Sequence, residues 1–226
     1  MTDVVIFDID GTLIDSNDAH ARAWVAALAE AGHPVPFERI RPMIGMGGDR
    51  ILPEVVPGLR DDAEPGKSIT KRRLAIFKER ELAHIEPFRG ARALLEAVHG
   101  RGARVVIATS AKKAELGDLL ARGDLEPLVD VASTSDDADA SKPAPDVVEA
   151  ALAKANVDAA RAVMIGDTRY DVESAHRAHV ACVGLRCGGN GPTLADADAV
   201  YDDPEELIGA LGRAPFAWPS AASTAS

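Results

Sequence analysis

Aromatic side chains are scarce, at 4% of 226 residues, so stacked rings cannot supply most of the core. Alanine and valine abound instead, which suits helix surfaces laid against short aliphatic strands. Cysteine is nearly absent as well. Cys182 and Cys187 are the only two, which excludes a disulfide framework, and no further Cys or paired His lies nearby to complete a zinc site. Basic residues are in deficit: 25 Lys and Arg face 36 Asp and Glu, a formal net charge of −11. Non-specific binding to DNA or RNA needs clustered Lys and Arg, so a nucleic-acid partner is not expected. Long apolar runs are missing, and Met1-Thr2-Asp3 enters a short apolar strand with no basic leader. Neither a secretory signal nor a membrane span is expected, and a soluble cytoplasmic protein follows. With 46% hydrophobic and 27% charged residues, the chain can bury an ordinary core.

Short apolar runs recur, each followed by a helical stretch. Val4-Val5-Ile6-Phe7 precedes a helix from about Asn17 to Ala31, and Arg104 to Ala108 precedes one through Leu116 and Leu120. Val129 to Ala132 precedes a helix from Pro145 to Ala155, and Ala162 to Ile165 one through Val172 and Ala175. Ala181 to Leu185 closes the series, with a weak strand near Ala199-Val200 and a last helix around Pro204 to Leu211. Such runs suit strands covered on both faces, and their alternation with helices predicts an α/β fold with a mainly parallel, Rossmann-like sheet. Residues 16–87 break the pattern, with helical periodicity at Leu74, Phe77 and Leu82 and no convincing strand. They read as a helical domain inserted after the first strand. The catalytic core is then 1–15 and 88–213, and 214–226 is expected to be a flexible tail.

In open parallel sheets, ligands bind beyond the carboxyl ends of the strands. Polar residues able to do chemistry stand at those places. Asp8-Ile9-Asp10-Gly11-Thr12-Leu13 sets two carboxylates at i and i+2, with Gly11 permitting a sharp turn that frees amides, and Thr12 beside it, to face an anion. Thr109-Ser110 offers two hydroxyls after the next long strand. Lys142, followed by Pro143, brings an ammonium. Gly166-Asp167-Thr168 follows a further strand, and Asp171 shares a helical face with Asp167. Oxygen-only ligands of this kind suit Mg²⁺, and a carboxylate nucleophile, a hard divalent ion and a lysine are the parts that phosphoryl transfer requires.

This order of motifs resembles the haloacid dehalogenase superfamily in its phosphatase form: Asp8 to Leu13 looks like its first motif, Thr109 its second, Lys142-Pro143 its third, and Gly166-Asp167 with Asp171 its fourth. The inserted segment is similar to the small helical cap of phosphoglycolate phosphatases and β-phosphoglucomutases. The resemblance implies that Asp8 attacks phosphorus and forms an aspartyl-phosphate. Asp10 would protonate the leaving group and then activate water. Mg²⁺ would be held by Asp8, the carbonyl of Asp10, and Asp167, with Asp171 direct or through water. Thr109 and Lys142 would bind phosphoryl oxygens, with Gly11, Thr12 and Ser110 assisting.

In the insertion the readings stay open. Ser16 is either hinge or helix cap. His20 resembles a mutase histidine near the leaving group, yet His20 and Trp24 at i and i+4 also suit one packed helix face. Met43 to Arg50 is a glycine-rich bend containing Gly45. In similar caps such a bend reaches the site, and Arg50 would pair there with a substrate carboxylate or lie solvated. The partner is expected to be a small phosphorylated metabolite, and the protein a monomer or homodimer. A phosphomutase differs from a phosphatase only in whether sugar or water receives the phosphoryl group. Asp10 argues against a dehalogenase and a phosphonoacetaldehyde hydrolase. A receiver-type phospho-switch lacks the Asp-x-Asp-Gly-Thr run.

Overall fold

The computed structural model describes residues 1–218. Six strands form one parallel sheet: β1 (Val4–Phe7), β2 (Arg104–Ala108), β3 (Val131–Ser133), β4 (Ala162–Gly166), β5 (Ala181–Leu185) and β6 (Ala199–Tyr201), in the order β3-β2-β1-β4-β5-β6. The expected strands are all present. β3 starts later than the apolar run suggests, because Glu126 to Leu128 closes a 3₁₀ turn in which the Val129 amide donates to the Glu126 carbonyl.

Both sheet faces are covered, which accounts for the continuous hydrophobicity of the strands. Val5 and Phe7 pack on one face, in one cluster with Val105 and Ile107 of β2 and with Leu94, Leu95 and Val98. Val4 and Ile6 pack on the other with Val106 and Met164. Burying side chains such as Ile6 and Phe7, each 0% exposed, contributes about 1.5–3 kcal/mol apiece.

Within residues 16–87, after β1, the chain builds four α-helices, α1 (Asn17–Glu30), α2 (Phe37–Ile40), α3 (Gly48–Val55) and α4 (Gly66–Ile76). The linkers into and out of this insertion lie side by side: the Asp15 amide donates to the Glu86 carbonyl at 2.9 Å, and the Phe88 amide to that of Leu13 at 2.9 Å. Beyond α4 the periodicity at Phe77 and Leu82 does not continue as α-helix. Phe77–Glu81 widens into a π turn, followed by a 3₁₀ turn over Leu82–His84. The remaining helices are α5 (Ala91–His99), α6 (Lys113–Arg122), α7 (Asp146–Ala155), α8 (Arg169–Arg177) and α9 (Pro204–Ala210).

The first residues of the expected flexible tail are docked instead. Thr2 and Ala217 exchange hydrogen bonds through the Thr2 amide and hydroxyl, at 2.6 and 2.9 Å, and Phe216 is buried against Trp218. Two apolar rings in so aromatic-poor a chain find a seat beside α9. Residues 219–226 of that expected tail lie outside the described residues. No helix among the described residues is long and apolar enough to cross a membrane.

Candidate active site

Strand register brings together residues far apart in sequence. Phe7 stands beside Ile107 on one side and Ile165 on the other, so Asp8, Thr109 and Asp167 all leave the same edge of the sheet. Asp8, Asp10, His20, Gly45, Thr109 and Ser110 line a cavity of about 1010 Å³ between that edge and the insertion.

Lys142 is fully buried, and its three ammonium protons have three acceptors: Asp8 Oδ1 at 2.6 Å, the Ala108 carbonyl at 2.7 Å and Asp171 Oδ1 at 2.7 Å. The two carboxylates raise the lysine pKa far above its ordinary value against the opposing effect of burial. Burial pushes the Asp8 carboxyl well above the usual range; Lys142 pulls it back, while Asp171, Asp10 and Asp167 add to the rise. Asp171 also caps α8. Its Oδ2 accepts from the Thr168 amide at 3.0 Å and the Thr168 hydroxyl at 2.6 Å, while its own amide donates to Thr168 Oγ1. Both Asp171 oxygens are therefore engaged within the protein. The same spacing that brings Asp171 to the site also makes it the third residue of a capping box.

Asp10 is held differently. Its Oδ1 accepts from Ser16 Oγ at 2.5 Å and faces His20 Nε2 at 2.7 Å. Ser16 stands at the N-cap position of α1 but makes no side-chain cap bond; its hydroxyl serves Asp10 instead. Burial raises the Asp10 carboxyl, yet His20, by charge and hydrogen bond, Ser16 and Arg73 together hold it below the ordinary range. His20 is itself fixed by its surroundings. Its ring stacks on Phe77 at 4.2 Å, and Arg73 Nη2 lies 3.1 Å from Nδ1. A guanidinium can only donate, so the neutral imidazole carries its proton on Nε2, toward Asp10. Arg73 is in turn gripped by Glu115 of α6, at 2.6 and 2.9 Å from the two carboxylate oxygens. A polar chain thus runs from the core through two insertion helices and back to Asp10. Of its members in the insertion, only His20 and Ser16 stand out in the sequence.

The bend at Gly45 does reach the site. Ser110 Oγ donates to the Gly45 carbonyl at 3.0 Å, the Gly47 amide donates to Ser141 Oγ at 3.0 Å, and Ser141 Oγ donates to Asp49 Oδ1 at 2.5 Å. Ser110 is thereby a tie between core and insertion. Thr109 Oγ1 accepts from the Ala111 amide at 3.0 Å, which leaves its proton for the cavity. Three expectations need correction. Arg50 is half exposed, with Asp49 as its nearest carboxylate at 3.7 Å, and is not part of the cavity wall; its neighbour Asp49 is. Thr12 is fully buried with Asp167 Oδ1 3.4 Å from its hydroxyl, so it faces the metal-type carboxylate rather than the cavity. The Gly11 amide donates to the Ile14 carbonyl at 2.8 Å, so it is not free for an anion. Gly11 has a different necessity: at φ +80, a Cβ there would lie 2.2 Å from Asp167 Oδ2.

Asp167 is 0% exposed and sits among amide donors, with Asn17 Nδ2 and Asn190 Nδ2 each 2.8 Å from Oδ2. Burial and Asp171 push its carboxyl up to about 7. One oxygen from each of Asp8, Asp167 and Asp171 lies within 4.8 Å of the others. Three carboxylates around a single ammonium leave a buried surplus of negative charge, and an all-oxygen donor set fits a hard divalent cation that would neutralise it.

Known proteins agree with this geometry. A family model described as haloacid dehalogenase-like hydrolase matches residues 5–185. The phosphoglycolate phosphatase of Rhodospirillum rubrum is 33% identical over 228 residues, covering 94% of this chain and 92% of that protein. The phosphoglycolate phosphatase of Caulobacter vibrioides is 32% identical over 209 residues, covering 91% and 84%. Among solved structures, a hydrolase from Pseudomonas syringae aligns with a TM-score of 0.86 and 30% identity, covering 94% of this chain and 98% of that one. A match over most of the chain, on the same elements that carry Asp8, Thr109, Lys142 and Asp167, makes this protein a member of the haloacid dehalogenase-like hydrolase family.

Proposed function

We propose that this chain, a phosphatase of that family, hydrolyses a small phosphate monoester through an aspartyl-phosphate on Asp8, with Mg²⁺ as the cation. The observation that carries the reading is the pairing of two unlike carboxylates on one cavity wall. Asp8 is tied to a buried ammonium, and Asp10 is tied to an imidazole and a hydroxyl.

Asp8 Oδ1 is held by Lys142, which leaves Oδ2 to attack phosphorus as the ester P–O bond breaks. Asp10, which must carry a proton at this step against the pull of His20, Ser16 and Arg73, delivers it to the departing alkoxide. It then takes a proton from the water that attacks the aspartyl-phosphate, the P–O bond to Asp8 breaks, and inorganic phosphate leaves. Thr109 donates its free hydroxyl proton to a phosphoryl oxygen, and the Lys142 ammonium opposes the effect of burial on the Asp8 carboxyl. Asp8, Asp167 and the carbonyl of Asp10 would hold Mg²⁺, with Asp171 outside the ligand set as the anchor of Lys142. When bound, the ion supplies charge neutralisation for the phosphoryl oxygens. Residues 16–87 act as the cap, closing over the cavity and keeping bulk water from Asp8.

The cavity mouth carries charges of both signs, with Asp49, Asp61, Asp62 and Asp139 among its lining residues. Lys67, Lys71 and Lys112 line it at exposed positions, in addition to the groups at its floor. With phosphoglycolate phosphatases among the relatives, 2-phosphoglycolate, which bears a carboxylate, is the first substrate to test. Phosphate release would be measured across a panel of 2-phosphoglycolate, sugar phosphates and nucleotides, with Mg²⁺ and with EDTA. Turnover that survives EDTA or Asp8→Asn would refute the mechanism. Conversion of β-glucose 1-phosphate to glucose 6-phosphate in the presence of a bisphosphate primer would reassign the enzyme to phosphoryl transfer between sugar positions.

A further inference from the structure

A second set of contacts joins the cap to the core. Arg41 follows α2 in the cap, and its guanidinium is held at three points. Nε donates to Asp18 Oδ1 at 2.5 Å, Nη2 to the Gly188 carbonyl at 2.6 Å, and Nη1 to Asn190 Oδ1 at 3.3 Å. Asn190 is an amide with two distinct ends. Because Arg41 can only donate, it takes the oxygen end, and the NH₂ end must turn the other way. That end lies 2.8 Å from Asp167 Oδ2.

Asn17, the first residue of α1, reaches the same oxygen at 2.8 Å and also donates to the Gly188 carbonyl at 3.1 Å. Asp167 Oδ2 thus has two amide donors, and Oδ1, with only the Thr12 hydroxyl at 3.4 Å, is the oxygen left for a cation. The packing leaves no slack. A Cβ on Gly188 would fall 1.9 Å from Asp167 Oδ2, so the Gly188-to-Asn190 loop approaches Asp167 as closely as glycine allows. Asn17 Oδ1 is buried without a partner among the described residues, an acceptor beside a site expected to hold a hydrated ion.

We propose that Arg41 is a positioning residue that couples cap closure to divalent-cation affinity, by orienting Asn190 onto Asp167. The proposal rests on the Mg²⁺ reading of the site. Its logic is linkage: if the cap contact favours the cation-ready orientation of Asp167, a bound cation must favour the closed cap by the same factor. Arg41 and Asn190 touch neither Asp8 nor Asp10, so their effect is on the metal rather than on proton transfer.

The test is direct binding of Mn²⁺, read by electron paramagnetic resonance of the free ion, and of Mg²⁺ by calorimetry, on the full chain without substrate. Asn190→Ala should weaken binding about 10- to 100-fold, the range seen when groups that orient a metal ligand are removed. Arg41→Ala should weaken it about 10-fold or more, and the double variant should bind no worse than Asn190→Ala alone. Arg41→Lys, which keeps the charge but loses the fork, should resemble Arg41→Ala. In the wild type, saturating Mn²⁺ should slow amide exchange around Arg41. Circular dichroism and thermal melts in EDTA establish that each variant is folded; Arg41→Lys is the more conservative replacement if Arg41→Ala is not. A wild type that binds no divalent ion would remove the metal reading itself. A wild type that binds, with Arg41→Lys and Asn190→Ala binding equally well, would overturn only the coupling.

Discussion

Removing His20 separates the two half-reactions, because they need Asp10 in opposite protonation states. His20→Ala deletes the 2.7 Å contact to Asp10 Oδ1 and the stack on Phe77. A hydrogen bond to a charged group is worth about 1.5–3 kcal/mol, which converts to a rate factor of about 10 to 150 if the whole of it orients Asp10 in the transition state. The direction of the titration change follows from the causes. Burial raises the Asp10 carboxyl and His20 is the first influence opposing it, so the variant's Asp10 must titrate at higher pH. Formation of the aspartyl-phosphate uses protonated Asp10 and gains population from that shift. Its hydrolysis uses the carboxylate and loses population. Rapid-quench measurement should therefore show a burst of alcohol product followed by slow turnover, and the acid limb of the kcat profile should move to higher pH. Added imidazole, filling the space left by the side chain, should restore part of the rate. A variant with kcat within about twofold of wild type and an unmoved acid limb would refute the assignment of His20 as the group that positions Asp10.

Four further outcomes are expected. Asp8→Asn should abolish phosphate release while circular dichroism stays native, because Lys142 retains Asp171 and the Ala108 carbonyl as partners. Lys142→Met leaves Asp8 and Asp171 facing each other without a cation, and should cost about 3–5 kcal/mol in urea melts in EDTA, less in excess Mg²⁺. The Asp167 carboxyl stands at about 7 without a cation, so protons compete with metal below that pH. Mg²⁺ affinity measured by calorimetry should fall as pH drops from about 7 to 6 and stay nearly flat above about 8. Glu115→Gln removes the charge that holds Arg73 and should lower kcat for the ester; unchanged kcat with raised KM would assign the pair to substrate capture instead.

The motif residues are legible because strand-end chemistry leaves a local signature. A carboxylate that ends a run of four buried apolar residues, with Asp-Gly-Thr two positions on, is seldom a mere helix cap, and parallel register brings each such strand end to one rim. Thr12 and Gly11 mislead for a related reason. Proximity in sequence to Asp8 suggests shared duty toward an anion, but the turn that Gly11 makes sends the Thr12 hydroxyl toward Asp167 and uses the Gly11 amide on Ile14. Charge alone favours Arg50 over Asp49 as a substrate contact, whereas at the start of α3 it is the aspartate that meets the core, through Ser141. Arg73, Glu115, Arg41 and Asn190 carry almost no local signal. Their partners lie 42 and 149 residues away along the chain, and a charged residue on an amphipathic helix looks the same whether it faces water or a buried carboxylate.

Arg73, Glu115, Arg41 and Asn190 share one property: each is half of a contact between cap and core. Arg73 with Glu115 fixes His20, and hence Asp10; Arg41 with Asn190 and Gly188 bears on Asp167. Gly45 and Gly47 add a third tie, to Ser110 and Ser141, beside Thr109 and Lys142. Opening the cap would break all three sets while leaving the strand-end residues where the sheet puts them. The nucleophile and its lysine belong to the core alone, but the acid/base and, on our proposal, the metal ligand are completed by the cap. Such an arrangement withholds proton transfer until the cavity is shut, so that water meets the aspartyl-phosphate only alongside an Asp10 already oriented to deprotonate it. On the proposed mechanism cap closure is a catalytic step in its own right, and variants at its contacts should change kcat even though none of them touches phosphorus.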